Sequence, residues 1–106
     1  MGAAEIDQAG FVDVHAAGAR VVDVREPHEY EAGHVPGAVN IPVGELAGRA
    51  GELADGEPVY LVCQGGGRSS RATAALRKTG VVAVNVAGGT KGWQDGGRPT
   101  TPGPTP

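Results

Sequence analysis

The chain has 106 residues, the size of one domain, and 40% of them are hydrophobic, alongside 19 Gly and 8 Pro. A net charge of −3 leaves no basic stripe for nucleic-acid phosphates, and no apolar stretch is long enough to span a membrane. The only cysteine, Cys63, excludes an internal disulfide and a metal cage of cysteines alone. The sequence thus predicts one small domain that binds neither nucleic acid nor membranes.

The N-terminal residues show no targeting signal. Residues 1–5 have neither the charged part nor the hydrophobic part of a signal peptide. A myristoylation signal at Gly2 would need Ser or Thr where Ile6 stands. We therefore expect a cytoplasmic protein, and we expect it to be a monomer.

Short Val-rich runs bounded by Gly, Pro or charged residues predict buried strands. A weak first strand is expected at Glu5–Ile6, and the stronger ones cover residues 20–24, 37–41, 58–62 and 81–87. The runs at 20–24 and 58–62 are almost continuously apolar, which favours a parallel sheet covered on both faces.

Helices are predicted between these strands. They cover residues 7–17, 45–54 and 68–79, with a short helical turn at 90–95 that would bury Trp93. Strands that alternate with helices predict an α/β fold, here a parallel sheet of about five strands flanked by helices on both faces. We expect residues 1–98 to form the domain and the Pro-rich residues 99–106 to form a flexible tail outside it.

The chemistry concentrates in the loop after the run at 58–62. Cys63 follows that run, residues 65–67 are all glycine, and a helix is predicted to begin near Arg68. Glycines allow successive amides to point into one concavity, and a helix N-terminus adds unpaired N–H groups and partial positive charge. The Arg68 guanidinium adds a full charge with forked donors. The thiol is therefore predicted to lie in an anion cradle.

Such a cradle would activate the thiol. We expect the pKa of Cys63 to fall below the free value of about 8.5, into the range of about 5–7. The same amides would stabilise negative charge on an atom bonded to the sulfur. The alternative is that Cys63 is only a small buried residue at a strand end. The glycine run and Arg68 favour a nucleophile.

Three ordered blocks of sequence resemble the rhodanese-like family of sulfurtransferases, over about residues 5–98. The blocks are Val22–Tyr30 with Gly33–Pro42, then Cys63–Ser69, and finally Gly88-Gly89 and Gly92-Trp93 with Gly97 and Pro99. The resemblance implies a rhodanese-like fold. It also implies that Cys63 takes the outer sulfur of a donor such as thiosulfate, becomes a persulfide, and passes this sulfur to cyanide or a thiol.

The resemblance also implies roles for individual residues. Catalysis falls to Cys63 and Arg68, and substrate binding to Gln64, Gly65, Gly66, Gly67 and Ser69. The amides of residues 64–68 would hold the persulfide, and the Arg68 side chain would orient the loop and the anionic donor. The expected partners are a small-molecule sulfur donor and a cyanide, thiol or protein acceptor, with no cofactor and no metal.

Other functions stay open at this point. The main alternative is a sulfur-carrier or persulfide-sensing module that needs a protein partner; a purely structural domain would not need an intact Cys63 and Arg68. Related cysteine phosphatases have one residue more between Cys and Arg than the segment 64–67 provides. The uncharged loop predicts modest thiosulfate turnover and favours a persulfide donor, although Arg71 could partly compensate.

Polar residues outside the loop are interpreted mainly as scaffold. We expect Arg25 to pair with a carboxylate, and Asp23 lies close by in sequence; a direct role in substrate binding is the alternative. His34 resembles a general base, but its Gly- and Pro-rich surroundings favour a hydrogen-bonded loop anchor. His15 and His28 are expected to be exposed.

Two further features are interpreted in the same way. Trp93 is expected to cap the sheet beside the cysteine loop and fill the core, with substrate stacking as the alternative. The acidic run of Glu26, Glu29 and Glu31 is expected to be a solvated face, with a docking surface for a basic partner as the alternative.

Overall fold

A computed structural model describes residues 4–106, so the predictions made on the first three residues lie outside the described part. The strands are β1 (Glu5–Ile6), β2 (Arg20–Asp23), β3 (Val39–Asn40), β4 (Val59–Val62) and β5 (Ala83–Val86). They form one sheet in the order β1-β5-β4-β2-β3, and every neighbouring pair is parallel. The predicted five-stranded parallel sheet is confirmed.

Helices connect the strands. They are α1 (Gln8–Ala16), α2 (Pro27–Ala32), α3 (Val43–Leu53), α4 (Gly67–Arg77) and α5 (Gly89–Asp95). The sequence predicted four of them and missed α2. Only Tyr30 of α2 is buried, so no apolar period marks this helix. A capping box between Glu26 and Glu29, with Pro27 in the first turn, is the signal that could have revealed it.

Each face of the sheet carries its own core. Val22 and Leu61 pack with side chains of α3 and α4 on one face, whereas Val21 and Val62 pack with Phe11 of α1 on the other. Because side chains alternate along a strand, neighbours in sequence belong to opposite cores. Burial of each such side chain contributes about 1.5–3 kcal/mol. The α/β architecture with helices on both faces is confirmed.

The Pro-rich C-terminal segment lies against the domain. Thr101 and His34 exchange backbone hydrogen bonds of 2.8 and 3.0 Å, and Trp93 Nε1 donates to the carbonyl of Pro99 at 2.8 Å. The sequence analysis placed residues 99–106 outside the domain. It missed these contacts because local composition does not reveal partners that are distant in sequence. The start of the segment instead makes specific contacts with the domain, and its mobility stays a prediction.

Parallel strands end at the same edge of a sheet, and this edge gathers the polar residues of interest. Cys63 follows β4, Arg25 follows β2, and Gly88 follows β5. Ligands of open α/β sheets bind at this carboxyl edge. None of the described helices combines the length and apolarity that a membrane crossing requires.

Candidate active site

Cys63 lies directly after β4 and is 1% exposed. Its sulfur accepts a hydrogen bond from the N–H of Gly66 at 3.0 Å and lies 3.3 Å from the hydroxyl oxygen of Ser69. Gly66 has a φ of +106°, in the left-handed region that favours glycine, and at this residue the loop turns into α4. The loop thus wraps around the thiol, as the glycine run predicted.

Two opposing effects set the acidity of this thiol. Burial raises the pKa of Cys63, but hydrogen bonds from the side chain and N–H of Ser69 and from the N–H groups of Gly66 and Arg68 outweigh it. The net result is a pKa below the ordinary value of a cysteine. The predicted direction is confirmed, and it favours a thiolate nucleophile.

Helix α5 supports the loop from behind. The N–H of Thr90 donates to the carbonyl of Cys63 at 2.8 Å, and the N–H of Lys91 donates to the carbonyl of Gln64 at 2.9 Å. Gly89 has a φ of +56°, and a Cβ at this position would lie 2.8 Å from the Gln64 carbonyl oxygen. Only glycine allows this approach of α5 to the loop, which explains the Gly-Gly pair that the resemblance singled out.

The Arg68 side chain points to a residue that the sequence analysis placed on a solvated face. Its guanidinium donates to both carboxylate oxygens of Glu29, at 2.7 and 2.9 Å. This hydrogen bond lowers the pKa of Glu29 to about 2, against the opposing effect of burial. The expectation for Glu29 was therefore wrong, because its partner lies 39 positions away in the chain. Glu26 and Glu31 are exposed as expected.

A second arginine connects the loop to β2. Arg25 is 3% exposed and binds Asp23 through two N–H groups, at 3.0 and 2.8 Å. It also donates to the side-chain oxygen of Gln64 at 3.0 Å and to the carbonyl of Gly33 at 2.9 Å. The predicted pairing of Arg25 with a carboxylate is confirmed. This arginine fixes the position of Gln64 relative to α2.

The residues predicted to bind substrate divide into two groups. Gly66 and Ser69 contact the sulfur, whereas no hydrogen bond joins Gln64, Gly65 or Gly67 to it in the described chain. The latter three residues are exposed along the mouth of the loop. Their role in substrate binding stays a prediction.

Two residues at the site, the buried Asn85 and the exposed Glu5, had no functional place in the sequence analysis. Asn85 on β5 accepts a hydrogen bond from the Ser69 hydroxyl at 2.6 Å, and Glu5 on β1 accepts one from the Asn85 amide at 2.9 Å. The signal was an asparagine inside an otherwise apolar strand, since a buried amide needs partners. Glu5 gave no signal, because an acidic residue on a short edge strand is ordinary.

The sequence analysis interpreted one histidine as a loop anchor and expected the other two to be exposed. His34 is fully buried, and its Nδ1–H donates to the carbonyl of Tyr30 at 2.9 Å, which confirms a loop anchor. His28 is exposed as expected, but His15 is half-buried and bonds to the carbonyl of Pro36, so that expectation was wrong. Within residues 4–106, no group of three or more His, Cys, Asp or Glu side chains is placed to hold a metal ion.

Trp93 fills the core beside α1. It is 5% exposed, and its ring lies edge-on to Phe11 with centroids 5.7 Å apart. The expected core-filling role is confirmed. The ring also lies 4.7 Å from His15, which explains why that histidine is drawn against the domain.

Fold and site together define a parallel α/β domain that presents a thiol of lowered pKa in a loop of N–H donors. The model of the rhodanese-like domain family matches residues 7–96. A crystal structure of a rhodanese-related protein from Thermoplasma volcanium superposes with a TM-score of 0.84 at 31% identity, covering 92% of this chain and 96% of that chain. This chain belongs to the rhodanese-like domain family.

Relatives with known names extend this comparison. YqhL and YrkF of Bacillus subtilis (strain 168) are 49% identical over 76 residues and 43% identical over 74 residues. These matches cover 71% and 69% of this chain but only 60% and 40% of the two relatives, and YrkF bears the name of a proposed sulfur carrier protein. Thiosulfate sulfurtransferase 16, chloroplastic, of Arabidopsis thaliana is 33% identical over 101 residues, which cover 83% of this chain and 84% of that protein.

Proposed function

We propose that this chain is a sulfurtransferase that carries sulfur as a persulfide on Cys63. The observation that carries the proposal is the buried sulfur held by the Gly66 N–H at 3.0 Å, with a pKa lowered by the surrounding hydrogen bonds. A thiolate is the reactive form of cysteine, and this site favours it. The family and the named sulfurtransferase relative support the same chemistry.

The reaction has two balanced halves. The Cys63 thiolate attacks the outer sulfur of the donor, a new S–S bond forms, and the bond from that sulfur to the rest of the donor breaks. The electron pair of that bond leaves with the donor, as sulfite when the donor is thiosulfate. A cyanide or thiolate acceptor then attacks the terminal sulfur, and the electron pair of the Cys63 bond returns to Sγ. The thiolate is regenerated, and the sulfur moves without net oxidation.

The N–H groups of the loop serve both halves of the reaction. Each intermediate carries negative charge on or next to Sγ, and the N–H groups of Gly66, Arg68 and Ser69 face that charge. Fixed donors need no rearrangement when charge develops, which is the principle of an oxyanion hole. The partners we propose are therefore a small-molecule sulfur donor and a cyanide, thiol or protein acceptor.

Charge at the mouth of the site argues for a persulfide as the better donor. Arg25 is neutralised by Asp23, Arg68 is neutralised by Glu29, and residues 64–67 carry no charge. A dianion such as thiosulfate finds no unpaired cation among these groups. A persulfide carries less charge and depends less on a cation, so we propose that thiosulfate is used, but slowly.

A sulfur carrier is the second candidate function. The resemblance to YrkF and the single cysteine favour it, because release of the sulfur then depends on an external acceptor. Steady-state turnover with thiosulfate and cyanide separates the two. Multiple turnovers establish a transferase, whereas one sulfur per chain, released only after a partner protein is added, establishes a carrier.

The decisive experiment is the intact mass of the protein after incubation with thiosulfate and, in parallel, with an organic persulfide. We expect a gain of one sulfur atom, which prior alkylation of Cys63 blocks. Cys63→Ser is the matched control, because a hydroxyl at this position forms no persulfide. A sulfur gain in that variant, or no gain with either donor, would refute the mechanism.

A further inference from the structure

A chain of hydrogen bonds leads from Cys63 to the surface. The Ser69 oxygen lies 3.3 Å from the Cys63 sulfur and 2.6 Å from Oδ1 of Asn85. The Asn85 amide nitrogen donates to a carboxylate oxygen of Glu5 at 2.9 Å. Ser69 and Asn85 are 0% and 3% exposed, whereas Glu5 is exposed. The four residues come from the loop after β4 and from α4, β5 and β1.

The chemistry of each group fixes the direction of donation. An ionised carboxylate only accepts hydrogen bonds, so Glu5 must face the NH2 group of Asn85. The amide oxygen of Asn85 then faces Ser69, and an amide oxygen also only accepts. The single hydroxyl proton of Ser69 therefore has the Asn85 oxygen as its nearest acceptor, at 2.6 Å, while the Cys63 sulfur and the Gly66 carbonyl compete for it at 3.3 Å each.

This direction has a consequence for the sulfur. A Cys63 thiol can donate its proton to the Ser69 oxygen. When the sulfur is protonated, every hydrogen bond from Cys63 to Glu5 can therefore form at the same time. A Cys63 thiolate, in contrast, competes with Asn85 for the one hydroxyl proton, and the distances of 3.3 and 2.6 Å favour Asn85. Hydrogen bonds to a charged group are strong, so this competition weakens the contribution of the Ser69 hydroxyl to the lowered pKa of Cys63.

We propose that Glu5 is a positioning residue that fixes the direction of this chain and holds the Ser69 hydroxyl proton on Asn85, away from the Cys63 sulfur. Glu5 thereby limits how readily the thiol ionises. The functional meaning of this control rests on the proposed sulfur transfer. The control itself is a property of the thiol alone.

Three pairs of charged groups around the loop do not belong to this chain of hydrogen bonds. The pair of Arg68 and Glu29 joins α4 to α2. Arg25, which follows β2, pairs with Asp23 at the end of that strand. Lys91 pairs with Asp95 within α5. A change at Glu5 leaves all three pairs in place. Its effect can therefore be assigned to the chain of hydrogen bonds.

Reversal of the chain is the test. In Glu5→Lys, the ammonium only donates, so Asn85 must turn its oxygen toward residue 5 and its NH2 toward Ser69. The Ser69 proton is then free for the sulfur. We expect the rate constant for alkylation of Cys63 by iodoacetamide, at a pH below the thiol midpoint, to rise about tenfold, the effect of one hydrogen bond to a charge. Glu5→Gln permits either direction, and we expect a smaller rise.

Two controls separate the chain from a through-space effect of charge. Glu5→Lys in a Ser69→Ala background keeps the charge but removes the chain, and we expect no rise there. Glu45→Lys makes the same charge change on α3, at an exposed residue outside the chain of hydrogen bonds, and we expect it to match the wild type. A rise of equal size in the Ser69→Ala background would overturn the proposal.

Asn85→Leu provides a second, independent test in case Lys at position 5 disturbs β1. It removes the acceptor for the Ser69 proton, and we expect the same acceleration of alkylation. Wild-type rates in both Glu5→Lys and Asn85→Leu, with Trp93 fluorescence showing intact folds, would overturn the proposal. Alkylation uses no sulfur donor, so failure of persulfide formation would refute the proposed function and leave this inference standing.

Discussion

The Arg68 guanidinium and the Glu29 carboxylate form a two-point ion pair, with N–O distances of 2.7 and 2.9 Å, across the mouth of the cysteine loop. The family resemblance implied that the Arg68 side chain orients the anionic donor. Its charge is already shared with Glu29 before any donor binds. The pair therefore joins α2 to α4, and we expect it to make the site less attractive to a dianion.

Glu29→Gln should improve the use of thiosulfate. The amide keeps the shape of Glu29 and can still accept a hydrogen bond from Arg68, but it no longer neutralises the guanidinium. We expect kcat/KM for thiosulfate to rise about fivefold, as one partly screened charge interaction allows. Steady-state kinetics with cyanide as the acceptor, at low and high salt, measure this change.

Glu31→Gln is the matched control for that variant. It removes an acidic charge nearby in sequence, at an exposed residue outside the ion pairs of the described chain. We expect its kcat/KM to stay near the wild-type value and the gain in Glu29→Gln to shrink at high salt. An unchanged or lower value in Glu29→Gln would show that Glu29 does not limit donor binding.

The same ion pair predicts how stability depends on pH. The pKa of Glu29 is lowered from 4.5 to about 2, so its contribution is fully present above pH 4.5 and is lost as the pH falls through about 2. The side chains of Arg68 and Glu29 are 40% and 25% exposed, so solvent screening limits the contribution to about 1 kcal/mol. Urea unfolding followed by Trp93 fluorescence should show wild type more stable than Glu29→Gln at pH 6, with the difference shrinking below pH 4.5. A difference that keeps its full pH 6 value down to pH 2 would contradict this origin.

Much of the fold follows from local sequence patterns. Val-rich runs identify the strands because a sheet covered on both faces needs continuous apolar residues. Helix α2 was missed because capping and a proline define it, while a single buried side chain, Tyr30, gives no periodic signal. The position of Thr101 beside His34 was missed because two backbone hydrogen bonds between distant segments leave no local trace.

The candidate site also contains residues that could be predicted from sequence and residues that could not. The loop around Cys63 could be predicted because glycines, a strand end and a helix start are consecutive in the chain. Glu29 and Glu5 could not be predicted, because each bonds to a partner that only the fold brings close: Arg68 for Glu29 and Asn85 for Glu5. Sequence reasoning thus located the candidate nucleophile, while the residues that pair with its surroundings required the structure.

Arg68→Ala should make the thiol less acidic. The substitution keeps the backbone N–H that faces the sulfur but removes the positive charge and leaves Glu29 unpaired, and both changes disfavour a thiolate. We expect the midpoint of the pH profile of alkylation to rise by about one unit. The double variant Arg68→Ala/Glu29→Gln should recover part of this shift. An unchanged midpoint in Arg68→Ala would show that the guanidinium does not influence the sulfur.

Gly89→Ala should disrupt the support of the loop by α5. The backbone at Gly89 has a φ of +56°, and a Cβ there would collide with the carbonyl groups of Cys63 and Gln64. We expect a loss of about 2 kcal/mol or more in the free energy of unfolding, and slower alkylation of Cys63, because the loop must shift. Gly48→Ala is the control: this glycine lies inside α3 with open space around its Cβ position, so alanine should stabilise the protein by up to about 1 kcal/mol. Equal stability of the two variants would show that α5 does not need its close approach to the loop.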